Sequence, residues 1–174
     1  MKVSGFRVAA GYAIGALAVA LARPTPRSIA VGLAVATAGE LVRLWASGHI
    51  EKTERLATGG PYAHTRNPLY VGSALLAVGF AVAAHSVPVI AAVILYFAAF
   101  YPAVIAEESR FLRQKFGEPY EAWAQHVPGF LPRVTPGGPR ASRFEWTRVR
   151  RNREWRTALA LPVFGLVLYL RSLL

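Results

Sequence analysis

A long stretch without charged side chains decides the fold: Asn67–Ala106, NPLYVGSALLAVGFAVAAHSVPVIAAVILYFAAFYPAVIA. It contains no Lys, Arg or Glu over 40 residues. A helix that crosses a bilayer needs about 20 apolar residues, so the stretch is long enough for two. A polar turn at Ala84-His85-Ser86-Val87-Pro88 divides it and places proline in the first turn of the next helix. We therefore predict an antiparallel pair of apolar helices, Leu69–Ala84 and Val87–Ala106.

Three further apolar segments lie outside this pair: Val8–Ala22, Ser28–Ser47 and Thr157–Leu170. The last of them is short and contains Pro162. Together the five segments predict an all-α fold, a polytopic helical membrane protein with about five transmembrane helices.

The composition agrees with a membrane protein that has basic aqueous loops. The chain has 174 residues, 54% of them hydrophobic, and a net charge of +11. Charge and hydrophobicity are segregated along the sequence, which is typical of polytopic membrane proteins. The absence of Cys excludes disulfides, thiolate metal sites and Cys nucleophiles. All nine acidic residues are Glu, so Asp-based triads are excluded as well.

The distribution of basic residues predicts the topology. If the Gly48–Arg66 and Glu107–Arg156 segments share a side with the N-terminus, that side carries every Lys and Arg except Arg23, Arg27 and Arg171. Because cytoplasmic loops are enriched in basic residues, we expect the N-terminus and both loops in the cytoplasm. Two alternatives are disfavoured. One is a cleavable signal peptide ending near Ala22, and the other is a soluble all-α protein, which would have to bury several charge-poor helices in a small globule.

The segment before the first helix of the pair is a candidate binding site. Asn67 is a good N-cap and Pro68 suits the first helical position. Free amides at such a helix start bind anions, and Arg66 adds a fork of donors. Ordinary helix capping with a snorkelling Arg66 is the competing interpretation.

Two carboxylates, Glu107 and Glu108, follow the second helix of the pair, where they oppose the helix dipole. We therefore expect the helix to continue to Gly117 or the carboxylates to have a cationic partner. The hairpin brings Glu107 and Glu108 towards Arg66 and Asn67. Such a corner fits a zwitterionic or sulfonium-bearing ligand, with aromatic faces from Tyr62, Tyr70 and Tyr120. The alternative is an ion pair between Arg66 and one of the glutamates, a staple that would hold the hairpin together without any ligand.

Three motifs occur in order: GPYxxxRNPxYxG from Gly60, EExxxLxxxFGxxYxxW from Glu107, and VPxxxPR from Val127. With this order and spacing, the segment Leu56–Arg133 resembles the isoprenylcysteine carboxyl methyltransferase and phospholipid methyltransferase family. The resemblance implies an integral membrane enzyme with a cytoplasmic cofactor pocket. It also implies S-adenosylmethionine as cofactor and methyl transfer to a lipophilic acceptor, either a prenylated carboxylate or a lipid amine headgroup. The chain lacks a GxGxxG fingerprint, which agrees with a fold without a Rossmann domain.

The resemblance also implies which residues bind the cofactor. Asn67 to Tyr70 would hold the methionine end and Glu108 the nucleoside, with Tyr120 and Val127–Arg133 covering the adenosine. The full implied set is Leu56, Ala57, Tyr62, Arg66, Asn67, Pro68, Leu69, Tyr70, Glu107, Glu108 and Tyr120, with no metal. On this interpretation residues 1–174 form one membrane methyltransferase domain: 1–66 the first two helices and a loop, 67–133 the hairpin and cofactor motif, and 134–174 a linker, a basic interfacial helix and the last span.

Two positions depart from the family pattern. Asn67 stands where the family has His, so it cannot titrate near neutral pH. Val104 stands where the eukaryotic carboxyl methyltransferases have an Arg that orients the substrate carboxylate. We expect Arg43, at the end of the second apolar segment, to substitute for that Arg as the substrate-orienting residue.

Methyl transfer in line from a sulfonium needs alignment and desolvation more than acid–base catalysis. An amine acceptor would have to lose a proton, and Glu40, His49 and His64 are the candidates. Each has a simpler interpretation, which we favour, so we assign no base. Glu40 and Arg43 are spaced for an intrahelical ion pair. The two histidines lie in loops, where we expect them to face water.

The C-terminal segment consists of a linker and a strongly basic stretch before the last apolar segment. Pro132–Ser142 is rich in Pro and Gly, and Ser142-Arg143-Phe144-Glu145 has the pattern of a capping box that opens a helix. Seven Arg in 140–156, with Trp146 and Trp155, predict an interfacial helix on anionic headgroups. We therefore expect membrane lipids and a lipid or lipophilic substrate as partners, and no nucleic acid.

Two other classes of protein compete with a methyltransferase. One is an NADPH-dependent membrane reductase of the sterol-reductase type. The carboxylates of Glu107 and Glu108 would repel the negatively charged 2′-phosphate of NADPH. The other is a non-catalytic membrane protein with the same fold.

Overall fold

A computed structural model of the chain describes residues 2–50, 55–137 and 142–173, with the side chains of residues 2–8 not described. In these ranges the chain is helical and contains no strand, so the expected all-α class is confirmed. A short 3₁₀ helix, Gly60–Ala63, precedes α3. The α-helices are α1 (Lys2–Leu21), α2 (Pro26–Ser47), α3 (Pro68–Ala84), α4 (Val87–Phe116), α5 (Glu118–His126), α6 (Trp146–Arg151) and α7 (Trp155–Arg171).

The predicted hairpin is formed by α3 and α4. Its turn lies at His85, which adopts φ 50 and donates its backbone N–H to the Val82 carbonyl at 3.1 Å. Ser86 then accepts the Ile90 N–H at 3.0 Å and begins α4. As expected, α4 continues through its two glutamates, and it ends at Phe116, just before Gly117, where φ is 57. The glutamates therefore lie within a helix rather than at its end.

The segment before α7 differs from the prediction. Glu145, rather than Ser142, is the N-cap of α6, and no side chain caps the helix. The predicted capping box is therefore wrong, because Ser142 and Phe144 pack in extended chain against Gly59 and Gly48. The helix is also shorter than expected, since it ends at Arg151 and α7 begins at Trp155. Residues 138–141 of the predicted linker lie outside the described residues.

Two helices, α2 and α4, are long and apolar enough to cross a membrane. The segments Ala9–Leu21 and Pro68–Ala84 are apolar but shorter. This pattern is compatible with a helical membrane protein, and the count of five spans stays a prediction.

The chain divides into two compact units. The first comprises Met1–Gly39, Ala74–Pro102 and Ala158–Leu174. Its core is built largely from small residues, with a buried cluster of Ala18, Ala22, Ala81, Ala83, Ala84, Val89, Val93 and Leu168. Helices α2 and α3 approach closely there, because Gly32 faces Ala83 and Gly79 faces Ala36 without an intervening side chain. Small residues at such crossings are typical of membrane helix packing.

This close approach yields a stability prediction. A Cβ added at Gly79 would overlap with the backbone nitrogen of Ala36 and the carbonyl oxygen of Gly32. We expect Gly79→Ala to lower the free energy of unfolding by about 1–3 kcal/mol, as overpacking does in a filled core. Gly15→Ala is the control, because a Cβ there meets nothing within 4 Å and helix propensity favours Ala by about 0.5–1 kcal/mol. Thermal unfolding of both variants in detergent measures the effect, and equal stability of the two would contradict close packing.

The second unit comprises Glu40–Ser73 and Ala103–Thr157. Its core contains the buried residues Ala46, Tyr62, Tyr120, Trp123 and Val127. The Trp123 indole donates to the Tyr62 carbonyl at 3.1 Å, which joins α5 to the 3₁₀ helix. Every site residue predicted from the sequence lies in this unit.

Candidate functional site

The start of α3 is held by the segment that follows α5. Asn67 occupies the N-cap position, since its carbonyl accepts the Tyr70 and Val71 N–H groups at 3.0 and 3.1 Å. Its side chain does not cap the helix, however. The Asn67 Nδ2 donates to the Gly129 carbonyl at 2.7 Å, and the Arg66 N–H donates to the Pro128 carbonyl at 2.9 Å. The side chain that the sequence predicts as a cap therefore fixes the 127–133 segment against this corner.

Arg66 contacts an aromatic residue rather than a carboxylate. Its Nη1 donates to the Tyr120 hydroxyl at 3.0 Å. Its Nε is buried and has no hydrogen-bond partner among the described residues. No ion pair joins Arg66 to Glu107 or Glu108 in residues 55–137, so the alternative of an Arg66–Glu staple is wrong.

The hairpin is joined instead by a tyrosine–carboxylate bond. The Tyr70 hydroxyl donates to Glu108 Oε2 at 2.8 Å, which links the first turn of α3 to α4. Glu108 is half-buried, whereas Glu107 is exposed. Successive residues of a helix project about 100° apart, so only one member of the pair can face α3. The structure thus brings Tyr70 and Glu108 together and leaves Glu107 outside.

Tyr62 belongs to the buried cluster of the second unit and has an unpartnered hydroxyl. The residue is 5% exposed, and its hydroxyl has no hydrogen-bond partner among the described residues. Burial, together with the nearby carboxylates of Glu108 and Glu154, raises the pKa of Tyr62 above its usual range. The hydroxyl is therefore protonated at every physiological pH and available as a donor. Leu56, Ala57 and Leu69 pack against the cluster that contains Tyr62 and Tyr120.

Arg43 is the centre of a network of buried polar groups. Its Nη2 lies 2.5 Å from Glu154 Oε1, and its Nε lies 3.7 Å from Glu40 Oε2. The predicted Glu40–Arg43 intrahelical pair is therefore confirmed. The guanidinium also donates to the Ser73 hydroxyl, to the Leu69 carbonyl at 3.4 Å and to the Thr157 hydroxyl at 3.5 Å.

Glu154 is the site residue that the sequence did not reveal. It is 5% exposed and follows Arg153, which adopts φ 56 in the turn between α6 and α7. No spacing or motif relates Glu154 to Arg43, because the two lie far apart in the chain. In the sequence, Glu154 lies among several arginines, a pattern that is typical of charged residues exposed to solvent.

The second unit also contains a cavity of about 340 Å³, within the size range of small-molecule sites. Its lining consists of His49, Arg55, Leu56, Ala57, Thr58, Ser142, Arg143, Glu145 and Arg148. Two of the residues assigned to the cofactor from the sequence, Leu56 and Ala57, therefore share a cavity with three arginines. No group of His, Cys, Asp or Glu that could hold a metal ion occurs in residues 2–50, 55–137 or 142–173.

His49 differs from the expectation of a solvent-facing loop residue. It is 7% exposed, and its Nδ1 lies 2.8 Å from the Trp45 carbonyl oxygen. Its ring contacts Gly60, where an added Cβ would lie only 2.5 Å from the imidazole. The absence of a side chain at Gly60 therefore makes room for the histidine. His64, by contrast, is half-exposed and its Nδ1 lies 2.9 Å from the Arg133 carbonyl oxygen.

Part of the chain is similar to known proteins. The phospholipid methyltransferase family profile matches residues 42–119, a range that contains every predicted site residue except Tyr120. The chain is 40% identical over 107 residues to the cobalt-zinc-cadmium resistance protein CzcN of Cupriavidus metallidurans. The aligned region covers 60% of the chain and 48% of that protein. The nickel-cobalt-cadmium resistance protein NccN of Alcaligenes xylosoxydans is 37% identical with the same coverage.

A third relative is named as an enzyme. The probable protein-S-isoprenylcysteine O-methyltransferase of rice, Oryza sativa subsp. indica, is 38% identical over 100 residues, 58% of the chain and 52% of that protein. The chain spans about half the length of the curated relatives it matches. No solved structure matches it significantly. The resemblance to the isoprenylcysteine carboxyl methyltransferase and phospholipid methyltransferase family is thereby confirmed, and residues 42–119 are the part of the chain that is similar to the phospholipid methyltransferase profile.

Proposed function

We propose that the chain is a membrane methyltransferase that uses S-adenosylmethionine and methylates a lipophilic acceptor at the membrane interface. The observation that carries the proposal is the Tyr70–Glu108 hydrogen bond of 2.8 Å within the matched range. It joins the two motifs that the resemblance assigns to the cofactor. The acceptor is a prenylated carboxylate or a lipid amine headgroup.

The residues of the second unit fit such a cofactor. The Glu108 carboxylate is half-buried and accepts hydrogen bonds, as the hydroxyls of a nucleoside require. The unpartnered Tyr62 hydroxyl adds a donor, and Leu56 and Ala57 line a cavity. When bound, S-adenosylmethionine would supply an activated methyl group on a sulfonium.

Three further groups complete the proposed binding set. Asn67 and Pro68 fix the backbone at the start of α3, where Leu69 and Tyr70 follow. Arg66 positions Tyr120 through the 3.0 Å bond to its hydroxyl. Glu107 would contribute from the exposed edge of α4. These residues bind and orient, since in-line methyl transfer needs alignment more than a base.

Arg43 keeps its proposed role as the residue that orients the substrate. A prenylated carboxylate would reach its guanidinium in place of the Glu154 carboxylate, which lies 2.5 Å away. An amine acceptor would instead approach the two carboxylates that flank Arg43. The network around Arg43 therefore has a distinct contact for each class of acceptor.

For the membrane arrangement we propose five spans, with the N-terminus and the site in the cytoplasm. The two long apolar helices and the segregation of basic residues support this arrangement. On this proposal residues 1–174 act as one domain.

A reductase that uses NADPH is the second candidate, and the basic cavity is the observation that favours it, because arginines bind phosphate. Ligand-induced stabilisation separates the two. A ligand at 100 times its Kd stabilises the folded state by about 2.7 kcal/mol. We expect S-adenosylhomocysteine to raise the thermal unfolding midpoint of the detergent-purified protein, and NADPH to leave it unchanged. Stabilisation by NADPH alone would refute the methyltransferase proposal, and stabilisation by neither would favour a non-catalytic protein.

A further inference from the structure

The segment after α5, residues 127–137, is a strap without helix or strand that lies along the chain before α3. Backbone hydrogen bonds of 2.9, 3.0 and 2.8 Å fasten the strap to that part of the chain. They join Arg66 to Pro128, His64 to Arg133 and Ala63 to Gly137. The strap is therefore fixed near both of its ends and in between, and its side chains hold defined positions.

The outer edge of the strap is apolar. Leu131 is 76% exposed and Val134 is 94% exposed. They flank Arg133, which is the only Lys, Arg or Glu in residues 122–137. The Arg133 guanidinium is folded back on the chain, because its Nη1 donates to the His126 carbonyl at 2.5 Å. The exposed edge therefore presents two aliphatic side chains and no carboxylate.

The strap lies beside the ends of two apolar helices. Its Arg133 carbonyl oxygen is 2.9 Å from His64 Nδ1, and the His64 ring lies 6.2 Å from the ring of Trp45 in the last turn of α2. Helix α2 is long and apolar enough to cross a membrane. Asn67, which begins the apolar helix α3, donates its side chain to the Gly129 carbonyl at 2.7 Å. In a membrane these helix ends lie where the bilayer meets water.

The surroundings of the strap favour a lipid surface as the partner of its apolar edge. Trp45 is 43% exposed, and tryptophan at the end of an apolar helix is typical of the boundary between headgroups and acyl chains. Aliphatic side chains held at that level lose water-exposed area when they enter the boundary. The strap loses little conformational entropy on doing so, because it is already fixed and contains Pro128, Pro132 and Pro136.

We infer that Leu131 and Val134 enter the headgroup boundary of the membrane, so that the strap is an apolar membrane contact of the segment before α3. The inference rests on the proposed membrane arrangement. It goes beyond the proposed methyl transfer, because the contact forms whether or not the chain transfers a methyl group. It also differs from the interfacial basic helix expected from the sequence, since the strap contacts lipid through aliphatic side chains.

Spin labels on single cysteines test this contact, and the chain suits them because it contains no Cys. The full chain is reconstituted in phosphatidylcholine nanodiscs with one label, introduced by Leu131→Cys or by Val134→Cys. Electron paramagnetic resonance then measures how often the label collides with oxygen, which concentrates in lipid, and with a water-soluble nickel chelate. Gln125→Cys, at an exposed position of α5, is the water-facing control. Leu95→Cys, at a position of α4 that is 68% exposed, is the membrane control.

We expect the labels at 131 and 134 to collide less with nickel and more with oxygen than the label at 125, with values between those at 125 and 95. Nickel collisions as frequent as at position 125 would overturn the inference and mean that the edge faces water. Shielding from both oxygen and nickel would overturn it in favour of a covering protein surface, such as a second copy of the chain. Values equal to those at position 95 would overturn it as well, since they would place the strap among the acyl chains.

Two further readouts separate this inference from the proposals on which it builds. If the label at 95 collides with nickel as often as the label at 125, the proposed membrane arrangement fails and the strap contact fails with it. S-adenosylhomocysteine binding, measured on the same nanodiscs, reports on the proposed methyltransferase. Lipid contact at 131 and 134 without such binding would support the strap contact and refute only the proposed methyl transfer.

Discussion

Replacing Glu108 by Gln is expected to abolish S-adenosylhomocysteine binding while the protein stays folded. The substitution keeps an oxygen that can accept the Tyr70 hydroxyl at 2.8 Å, so the hairpin remains joined. It removes the negative charge that the proposed nucleoside contact requires. Hydrogen bonds to a charged group contribute about 1.5–3 kcal/mol each, so losing two of them would weaken binding about 100-fold or more. Calorimetry with the detergent-purified variant measures the loss.

Glu118→Gln is the matched control for this experiment. Glu118 is exposed in the first turn of α5, where its charge contributes a few tenths of a kcal/mol through the helix dipole. We expect its variant to bind S-adenosylhomocysteine as wild type does. Tyr70→Phe should show an intermediate loss, because the Glu108 carboxylate stays but loses the donor that orients it. Unchanged affinity in Glu108→Gln would remove Glu108 from the proposed site.

Replacing Arg43 by Met is expected to cause the largest loss of stability. The substitution leaves Glu40 and Glu154, each 5% exposed, without the cation that they share. Removing one partner of a buried ion pair typically costs about 3–5 kcal/mol. In a chain of this size each kcal/mol lowers the unfolding midpoint by about 2–4 °C. Thermal unfolding in detergent should therefore show a decrease of roughly 6 °C or more.

Two comparisons isolate the network from a general effect of losing an arginine. Arg27→Met removes an exposed arginine near the start of α2 and should change the midpoint little. Arg43→Met/Glu154→Gln should be more stable than Arg43→Met alone, because one of the unpaired carboxylates is gone. Such non-additivity is the signature of a direct interaction. Equal midpoints for the Arg43 and Arg27 variants would mean that the network contributes nothing to the fold.

The sequence predicts the hairpin of α3 and α4 well, because its signals are local. A charge-free run too long for one helix, a polar turn at His85 and a glycine at position 117 determine where each helix begins and ends. The start of α6 was mispredicted for a tertiary reason. Ser142 has the pattern of an N-cap, yet its place against Gly59 keeps the chain extended until Glu145. A capping pattern does not report such a contact.

For the site as well, the sequence predicts what local motifs determine and misses what tertiary contacts determine. Tyr70 and Glu108 lie in motifs whose spacing relates them, and the structure joins them directly. The contact between Arg43 and Glu154 depends on the turn after α6, which no motif covers. His49 was expected in water, and its burial depends on Gly60 and on Phe144, which lies far along the chain. Contacts between distant segments leave no trace in local patterns, so these residues could be found only in the fold.

Methyl transfer itself is the most direct test of the central claim. Purified wild type and Glu108→Gln would be incubated with S-adenosylmethionine labelled in its methyl group, total membrane lipids and a farnesylated cysteine with a free carboxylate. The label in the organic extract is then counted. We predict that wild type transfers label to the lipophilic fraction and that Glu108→Gln does not. Equal transfer by the two proteins, or no transfer by wild type to either class of acceptor, would contradict the account.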